Sequence, residues 1–492
     1  MKNIKLNGTE PERDSVQGCS ALPDYEQAIA YLYQRINYER SGHAPYSADH
    51  YRLDRIRSLL RHLGDPHLAA PVIHIAGTKG KGSTAQWISA MLQGCGYRTG
   101  LYTSPHLLRL EERMRVDGRI CSPERLVHLA AQAHRAAELA EAEGAGRATF
   151  FELTTAMGFL HFAESQCDAV VLEVGLGGRL DSTNVCSPTL CVLTTIGLDH
   201  QAQLGNTIEE ITWEKAGIMK PGVPAITSAR DSKAQAVFAA RAAEVGCELR
   251  MIGRDFDVHW QPSIPQLSMP DESNTGQSTN GPHAAVARFQ PNYAGSSLGI
   301  DWPISMLGRH QADNLAGALA AIDKLTELGW KLPVKNMQRA AAELSLTARL
   351  QIVSRRPLCI LDTAHNPDSI SAALAALDDH FPDLNRTIVF ASSRDKDTEA
   401  MLQLLIPRCR RLICTQYQNN PRGLPLADLI SMAERIRATP GTSNCVLTSV
   451  PNPLEAWNSG LASLTANELL CATGSFFLAA ELLSGFAAMH ST

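Results

Sequence analysis

The sequence predicts an α/β chain of two domains: a P-loop-containing, mostly parallel sheet, then a smaller Rossmann-like doubly wound α/β domain. Three observations predict it. "DAVVLEVG" and "TLCVLTTIG" are continuous apolar runs ending in glycine, the pattern of central parallel strands buried on both faces. A glycine-rich turn, "HIAGTKGKGSTAQW" (His74 to Trp87), stands between a strand-like and a helix-like stretch. A second series of alternating strands and helices begins near residue 349. At 492 residues the chain exceeds one ordinary core. We place the domains at 1–345 and 346–492, with the boundary in "ELSLTARLQ".

The elements follow in order. Residues 25–62 carry helical spacing at Ala28, Tyr31, Leu32 and Ile36, then at Leu53, Ile56, Leu59 and Leu60. "VIHIAG" reads as a strand, "STAQWISAMLQGCGY" as a helix starting at Ser83 and closed by glycines, and "TGLYTS" as another strand. "FELTTAMGFLHFAES" has helical spacing. Residues 261–297 are rich in Ser, Asn, Pro and Gly and read as an exposed, irregular insertion. In the second series "PLCILD" precedes a helix with Asn366 as N-cap and Pro367 at its first position. "TIVFAS", "RLICTQ", "CVLTSV" and "ELLCATG" are its further strands.

Composition narrows the function classes. A hydrophobic content of 44% and a charged content of 19% describe a globular protein with an ample core. A net charge of −5 argues against a nucleic-acid-binding surface. The twelve cysteines scatter without CxxC pairs and read as free thiols in a reducing cytoplasm. The N-terminus lacks a signal-like apolar stretch, and Glu481 interrupts the short apolar run near the C-terminus, so we expect a cytoplasmic protein without a membrane span.

The glycine-rich turn suits phosphate. Backbone N–H groups and the positive end of the following helix face an anion, and Lys81 adds a full charge. The strict G-x-x-x-x-G-K-[ST] pattern is not met, because Gly82 separates Lys81 from Ser83. Thr103 and Ser104 follow a strand, and Glu173 stands near the end of a central strand, where open α/β sheets bind ligands. A carboxylate beside phosphates suits Mg2+. Asp199 and His200 end another strand. Lys215, among Glu209, Glu210 and Glu214, reads from its neighbours alone as a surface charge pair.

In order, "HIAGTKGKGST", "YTSPHL", "FFELTTAMGF", "VLEVGLGGRLDSTN", "IGLDH", "EKAGIMKPG", "LGRHQADN", "LDTAHNP" and "CATGSFF" resemble the folylpolyglutamate synthase/dihydrofolate synthase family of the Mur ligase superfamily. "YRLDRIRSLLRHLGDP" is similar to the family's pterin-side segment. The resemblance runs from about residue 25 to 485. It implies that Gly77, Thr78, Lys79, Gly80, Lys81, Gly82 and Ser83 cradle ATP phosphates. It implies that Asn314, Arg349, Asp362 and His365 hold the nucleotide, the last three from the smaller domain. Thr103, Glu173 and His200 match metal-binding positions, with two Mg2+ sites and a monovalent cation expected. Lys215 matches the lysine carbamylated in this superfamily. Thr149, Phe150, Phe151 and Glu152, with Leu180, Asp181 and Ser182, match the pterin pocket, where Phe150 or Phe151 would stack on a flat ring. Two departures bear on the site. Lys79 stands where many bacterial relatives have asparagine, and "SLTARLQ" replaces the usual Pro-Gly before Arg349.

The activity implied is an ADP-forming ligation of L-glutamate to folates, and to dihydropteroate, through an acyl phosphate. Lys81, His200 and Lys215 are its catalytic candidates. The expected partners are small molecules, not nucleic acid or membrane, and the expected state is a monomer. Three alternatives make different predictions. UDP-sugar ligases of the superfamily carry a full domain before the loop, whereas 73 residues precede His74. A P-loop small-molecule kinase or motor turns over without glutamate, and a nucleotide-binding module without catalysis forms no ADP.

Overall fold

A computed structural model describes residues 22, 24–37, 53–263, 285–439 and 444–489. Among them seventeen strands build three sheets. The first holds β1 (Val72–Ala76), β2 (Thr99–Tyr102), β3 (Met114–Val116), β4 (Arg119–Ile120), β5 (Ala169–Glu173), β6 (Pro188–Leu193), β7 (Ala225–Thr227) and β8 (Leu249–Met251), in the order β4-β3-β2-β5-β1-β6-β7-β8. β1 runs parallel to β5 and β6, with Ile75 beside Glu173 on one side and Val192 on the other. All five residues of β1 and of β5 are buried, which is why these runs are apolar without alternation.

Each face of this sheet carries its own core. On one face the helices Lys81–Gly94 and Arg309–Glu327 pack with Trp87, Trp302 and Leu319. On the other, the helices Pro123–Ala142 and Phe150–Glu164 bring Phe150, Phe162 and Leu126 against Tyr102 and Leu172. Large side chains buried fully in this way contribute roughly 1.5–3 kcal/mol each.

The antiparallel strands β9 (Phe256–Pro262), β10 (Ala285–Pro291) and β11 (Asp301–Ile304) form the second sheet, in the order β11-β10-β9. This corrects the reading of residues 261–297 as an irregular insertion at both edges. Residues 261–262 close β9, and β10 pairs with it from Ala285 to Pro291. The run "AVARF" alternates, with Ala285, Ala287 and Phe289 inward, and a three-residue apolar face was too short to stand out beside the polar stretch. The rest of that expectation, 264–284, lies outside the described residues, as does 38–52 of the N-terminal helical reading. The helices on either side of that gap, Tyr25–Tyr33 and Leu53–His62, are present.

The third sheet holds β12 (Gln351–Arg355), β13 (Leu358–Leu361), β14 (Asn385–Phe390), β15 (Arg411–Cys414), β16 (Val446–Ser449) and β17 (Glu468–Thr473), in the order β12-β13-β17-β14-β15-β16. It is parallel apart from the β12–β13 pair. The helix Pro367–His380 follows β13, with Asn366 as N-cap accepting the Ser369 N–H and Pro367 at its start. No helix of the described residues is long and apolar enough to cross a membrane.

Candidate functional site

The phosphate-loop sequence leaves β1 and is stapled to the segment after β6. The N–H groups of Thr78 and Lys79 donate to the Thr195 carbonyl at 2.8 and 3.2 Å, the Thr78 hydroxyl donates to Gly197 O at 3.1 Å, and the Thr194 hydroxyl donates to Lys79 O at 2.7 Å. Gly80 caps the helix at φ +84°, and a Cβ there would stand 2.1 Å from Asn314 Oδ1. Only glycine fits that turn beneath Asn314. The helix begins at Lys81, not at Ser83 as expected. Glycines lowered the apparent helix propensity, whereas the packing of Ser83, Thr84 and Ala85 in the interior overrides it. Lys81, Gly82 and Ser83 therefore form the first turn, whose N–H groups have no intrahelical acceptor.

Glu173 ends β5 beneath this turn. It is 5% exposed, and Gly82 lies so close that a Cβ there would stand 3.3 Å from Oε2. Oε2 accepts the Ser104 N–H at 3.2 Å, and Oε1 has no hydrogen bond among the described residues. Burial raises the Glu173 pKa, and the Lys81 charge opposes the rise. Burial likewise lowers the Lys81 pKa against Glu173, and Lys81 makes no ion pair among the described residues. Among the described residues Thr103, next to Ser104, is tied through its N–H to Arg113 O at 3.1 Å and its hydroxyl has no partner. Among the described residues no three His, Cys, Asp or Glu side chains converge as a metal cage. One free carboxylate oxygen and one free hydroxyl beside a phosphate loop suit Mg2+, which takes its remaining ligands from phosphate and water.

Asp199 and His200 follow β6. Lys79 Nζ stands 2.8 Å from Asp199 Oδ2. Burial works against ionisation of Asp199, but Lys79, His200 and Lys396 outweigh it and hold the carboxyl well below its usual range. His200 has φ +52° and keeps part of its surface exposed although protein crowds its other sides. That burial pushes its imidazole down to about 4, opposed by Asp199 and reinforced by Lys396, Lys215 and Lys81.

Lys215 is not the surface charge pair that its neighbours suggest. It is 4% exposed and makes no ion pair among the described residues, while Glu214 binds Arg179 at 2.9 Å instead. Gly178 presses so close that a Cβ would sit 2.9 Å from the Glu214 and Lys215 carbonyl oxygens, which holds the helix Ile208–Ala216 against the loop after β5. Burial, then the Lys81 charge, lowers the Lys215 pKa from 10.5 to about 7.

The third sheet supplies the other wall. Asp362, at the end of β13, accepts the N–H of Leu350 at 3.0 Å and of Ala364 at 2.7 Å, and the Thr473 hydroxyl at 3.2 Å. Its oxygens thus anchor the Arg349 turn. Arg349 Nη1 donates to the Thr363 hydroxyl at 2.8 Å and its guanidinium lies 4.9 Å above the Phe476 ring. His365 Nδ1 donates to Thr363 O at 3.0 Å, leaving Nε2 as acceptor, and burial followed by Lys79 and Lys396 pushes its pKa down to about 3.

The pterin-side residues divide. Phe150 is buried, stacked on Tyr33 at 5.3 Å with Arg113 above it, so it is core and not a ring platform. Phe151 is only half-buried. Thr149 and Glu152 form the capping box of the helix Phe150–Glu164, and Glu152 also pairs with Arg55 at 2.8 Å. Asp181 spends its oxygens on the N–H groups of Gly175, Leu176 and Thr183 and on the Thr183 hydroxyl, which ties down the loop of Leu180 and Ser182.

The Mur ligase middle domain matches residues 75–322 of this chain, and the Mur ligase, glutamate ligase domain matches 348–476. The folylpolyglutamate synthase of Lacticaseibacillus casei is 34% identical over 415 residues, 84% of this chain and 90% of that protein. This chain belongs to the folylpolyglutamate synthase/dihydrofolate synthase family. The dihydrofolate synthase/folylpolyglutamate synthase of Escherichia coli is 31% identical over 445 residues, 89% of this chain and 92% of that protein. The structure of Mycobacterium tuberculosis folylpolyglutamate synthase complexed with ADP superposes with a TM-score of 0.80 at 27% identity, covering 94% of this chain and 98% of that one.

In this folylpolyglutamate synthase family member one cleft residue escaped the sequence reading. Lys396, after β14, makes no ion pair among the described residues and its charge bears on Asp199, His200 and His365. The signal available was its place just beyond the strand run "TIVFAS", at the carboxyl end where such sheets bind ligands.

Proposed function

We propose that this chain ligates L-glutamate to the γ-carboxylate of folates, and to the carboxylate of dihydropteroate, at the expense of ATP. The observation that carries this reading is the juxtaposition of the phosphate-loop turn, Lys81 and Glu173 on one wall with Arg349, His365 and the unpaired Lys396 on the other. In this reading residues 1–345 bind ATP and residues 346–492 close over it.

A folate carboxylate oxygen attacks the γ-phosphorus, an acyl phosphate forms and ADP leaves. The glutamate amine then attacks the acyl carbon, the acyl C–O bond breaks, and inorganic phosphate leaves with its electron pair while the amine gives up one proton to the departing phosphate. Gly80, Gly82 and Ser83 direct N–H groups at the phosphates, Gly77, Thr78 and Lys79 shape the turn that presents them, with the Thr78 and Lys79 N–H groups bonded to Thr195 O, and Lys81 neutralises the transferring phosphoryl group. Thr103 and Glu173 would hold Mg2+, which would supply positive charge against the phosphates when bound. Asn314 sits over the loop, and Asp362 orients the turn bearing Arg349 toward the nucleotide. His365 offers Nε2 as a hydrogen-bond acceptor. Lys396 is placed to bind a carboxylate of the incoming amino acid.

Lys215 reacts with CO2 in this reading. An uncharged amine near neutral pH attacks CO2, giving R–NH–COO− and one proton, and the resulting anion sits beside His200 as a site for a second cation, divalent or monovalent. Its burial without an ion pair and its pKa near 7 support this. Phe151, with Leu180 and Ser182 on a loop fastened by Asp181, faces the pterin. The proposal includes a cytoplasmic monomer, supported by the scattered cysteines and the small-molecule character of the cleft.

Incubation with ATP, Mg2+, L-glutamate and either tetrahydrofolate or dihydropteroate tests the reading. Expected are ADP and a product heavier by one glutamyl residue. ADP release that does not depend on glutamate would instead assign a kinase or hydrolase.

A further inference from the structure

The two halves of the molecule also meet away from the cleft. His380 is the last residue of the helix Pro367–His380 and is fully buried. Its Nδ1 lies 3.0 Å from Ser263 O, just after β9, and its Nε2 lies 3.1 Å from the Gly308 N–H. A carbonyl only accepts and an N–H only donates, so the ring is neutral with its proton on Nδ1. Trp260 meets the ring edge-on at 5.8 Å. The approach is close: Gly308 has φ +95°, and a Cβ there would stand 2.9 Å from Ala376 Cβ on the His380 helix. No other residue type fits that junction without moving the helix.

Both bonded helices lead into the cleft. Gly308 caps the helix Arg309–Glu327, which carries Asn314 above the Gly80 turn. The His380 helix is capped by Asn366, next to His365, and Asp368 on its first turn lies 3.6 Å from the position of a Cβ on Gly197. We propose that His380 is a positioning residue for the ligation. Its bond to the Gly308 N–H locks the helix behind His365 onto the helix that carries Asn314, its bond to Ser263 O fastens the same helix end to the segment after β9, and together they set the distance across which the two walls face the nucleotide. The kinetic half of this inference rests on the ligase reading; the mechanical half does not.

The donor and acceptor of a neutral imidazole are reproduced by a glutamine amide, whereas leucine has neither. In the full chain, His380→Leu should speed hydrogen exchange at the Gly308 amide at least about tenfold and lower kcat about tenfold, the scale of a small misplacement of catalytic groups. ATP KM should stay within about twofold, since the phosphate loop belongs to one wall alone. His380→Gln should remain within about threefold of the parent in both readouts. His380→Asn, too short to span both partners, should lose one bond and fall between, which keeps the test decisive should the leucine chain fold poorly. Unchanged exchange in the leucine and asparagine variants, unchanged kcat despite faster exchange, or a glutamine variant as impaired as leucine would each overturn the proposal. A parent chain that forms no glutamylated product would refute the ligase reading, and the exchange comparison separates that failure from this one.

Discussion

Replacing Lys215 with methionine should stabilise the free protein while abolishing ligation. Methionine keeps the unbranched stem and removes the ammonium. A lysine whose pKa falls from 10.5 in the unfolded chain to about 7 in the fold carries a penalty set by that difference. At about 1.4 kcal/mol per pH unit, the cost at pH 7 is roughly 4 kcal/mol, and relaxation of the site brings the expected gain to about 2–4 kcal/mol. The sign fixes the pH dependence. The unfolded chain holds the extra proton between pH 7 and 10.5, so the parent gains stability as pH rises through that window and the advantage of the variant shrinks toward zero. Below pH 7 both states are protonated and the advantage is constant. Urea unfolding in CO2-free buffer at pH 6, 7, 8 and 9 measures it. Added bicarbonate should then raise the stability of the parent and not of the variant, because only the amine can take up CO2. A Lys215→Met chain less stable than its parent at pH 7, or a difference independent of pH, would show that the ammonium is compensated in the fold and refute the reasoning.

Lys81→Ala should fold normally and lose on the order of 10²–10³-fold in glutamate-dependent ADP formation, because the largest single charge facing the phosphates is gone; a coupled ADP assay reads it. Glu173→Gln removes the charge from a buried carboxylate at constant shape, so its thermal midpoint should hold or rise while the affinity for a non-hydrolysable ATP analogue in the presence of Mg2+, read by calorimetry, drops at least about tenfold. Asp362→Asn turns an amide N–H toward one of the two backbone donors, and should lower stability by about 2 kcal/mol in thermal unfolding and loosen the Arg349 turn.

The layered fold was legible because its signals are local. The buried runs of β1, β5 and β6 are continuous in the chain, and Asn366-Pro367 announces a helix start in two letters. The start of the phosphate helix and strand β10 were not, because what decides them is distant. Asn314 and Glu173 close over Gly80 and Gly82, and β10 owes its place to β9 and β11 more than to its composition. The same division runs through the site. Glu173 was readable from its position after an apolar run, whereas the neighbours of Lys215 in sequence, three glutamates, were misleading. Glu214 turns away to Arg179 and leaves the lysine unpaired. Phe150 and Phe151 are adjacent and chemically alike, and only the packing of Tyr33 and Arg113 sends one of them into the core.

That division explains why the cleft holds excess positive charge. Apart from Glu173, its carboxylates are occupied by the protein itself: Asp362 and Asp181 by backbone N–H groups and hydroxyls, Asp199 by Lys79. Its cations are not, since Lys81, Lys215 and Lys396 make no ion pair among the described residues. Leaving several ammonium groups unpaired in a crowded cleft is unfavourable unless an anion arrives to meet them. In the proposed reading a triphosphate, a substrate carboxylate and a carbamate on Lys215 would together bring the charge that the fold withholds. The Lys215→Met measurement therefore probes more than one residue. If removing a single ammonium stabilises the free protein and abolishes ligation, the cost of that unpaired charge is the same quantity that favours anionic substrates.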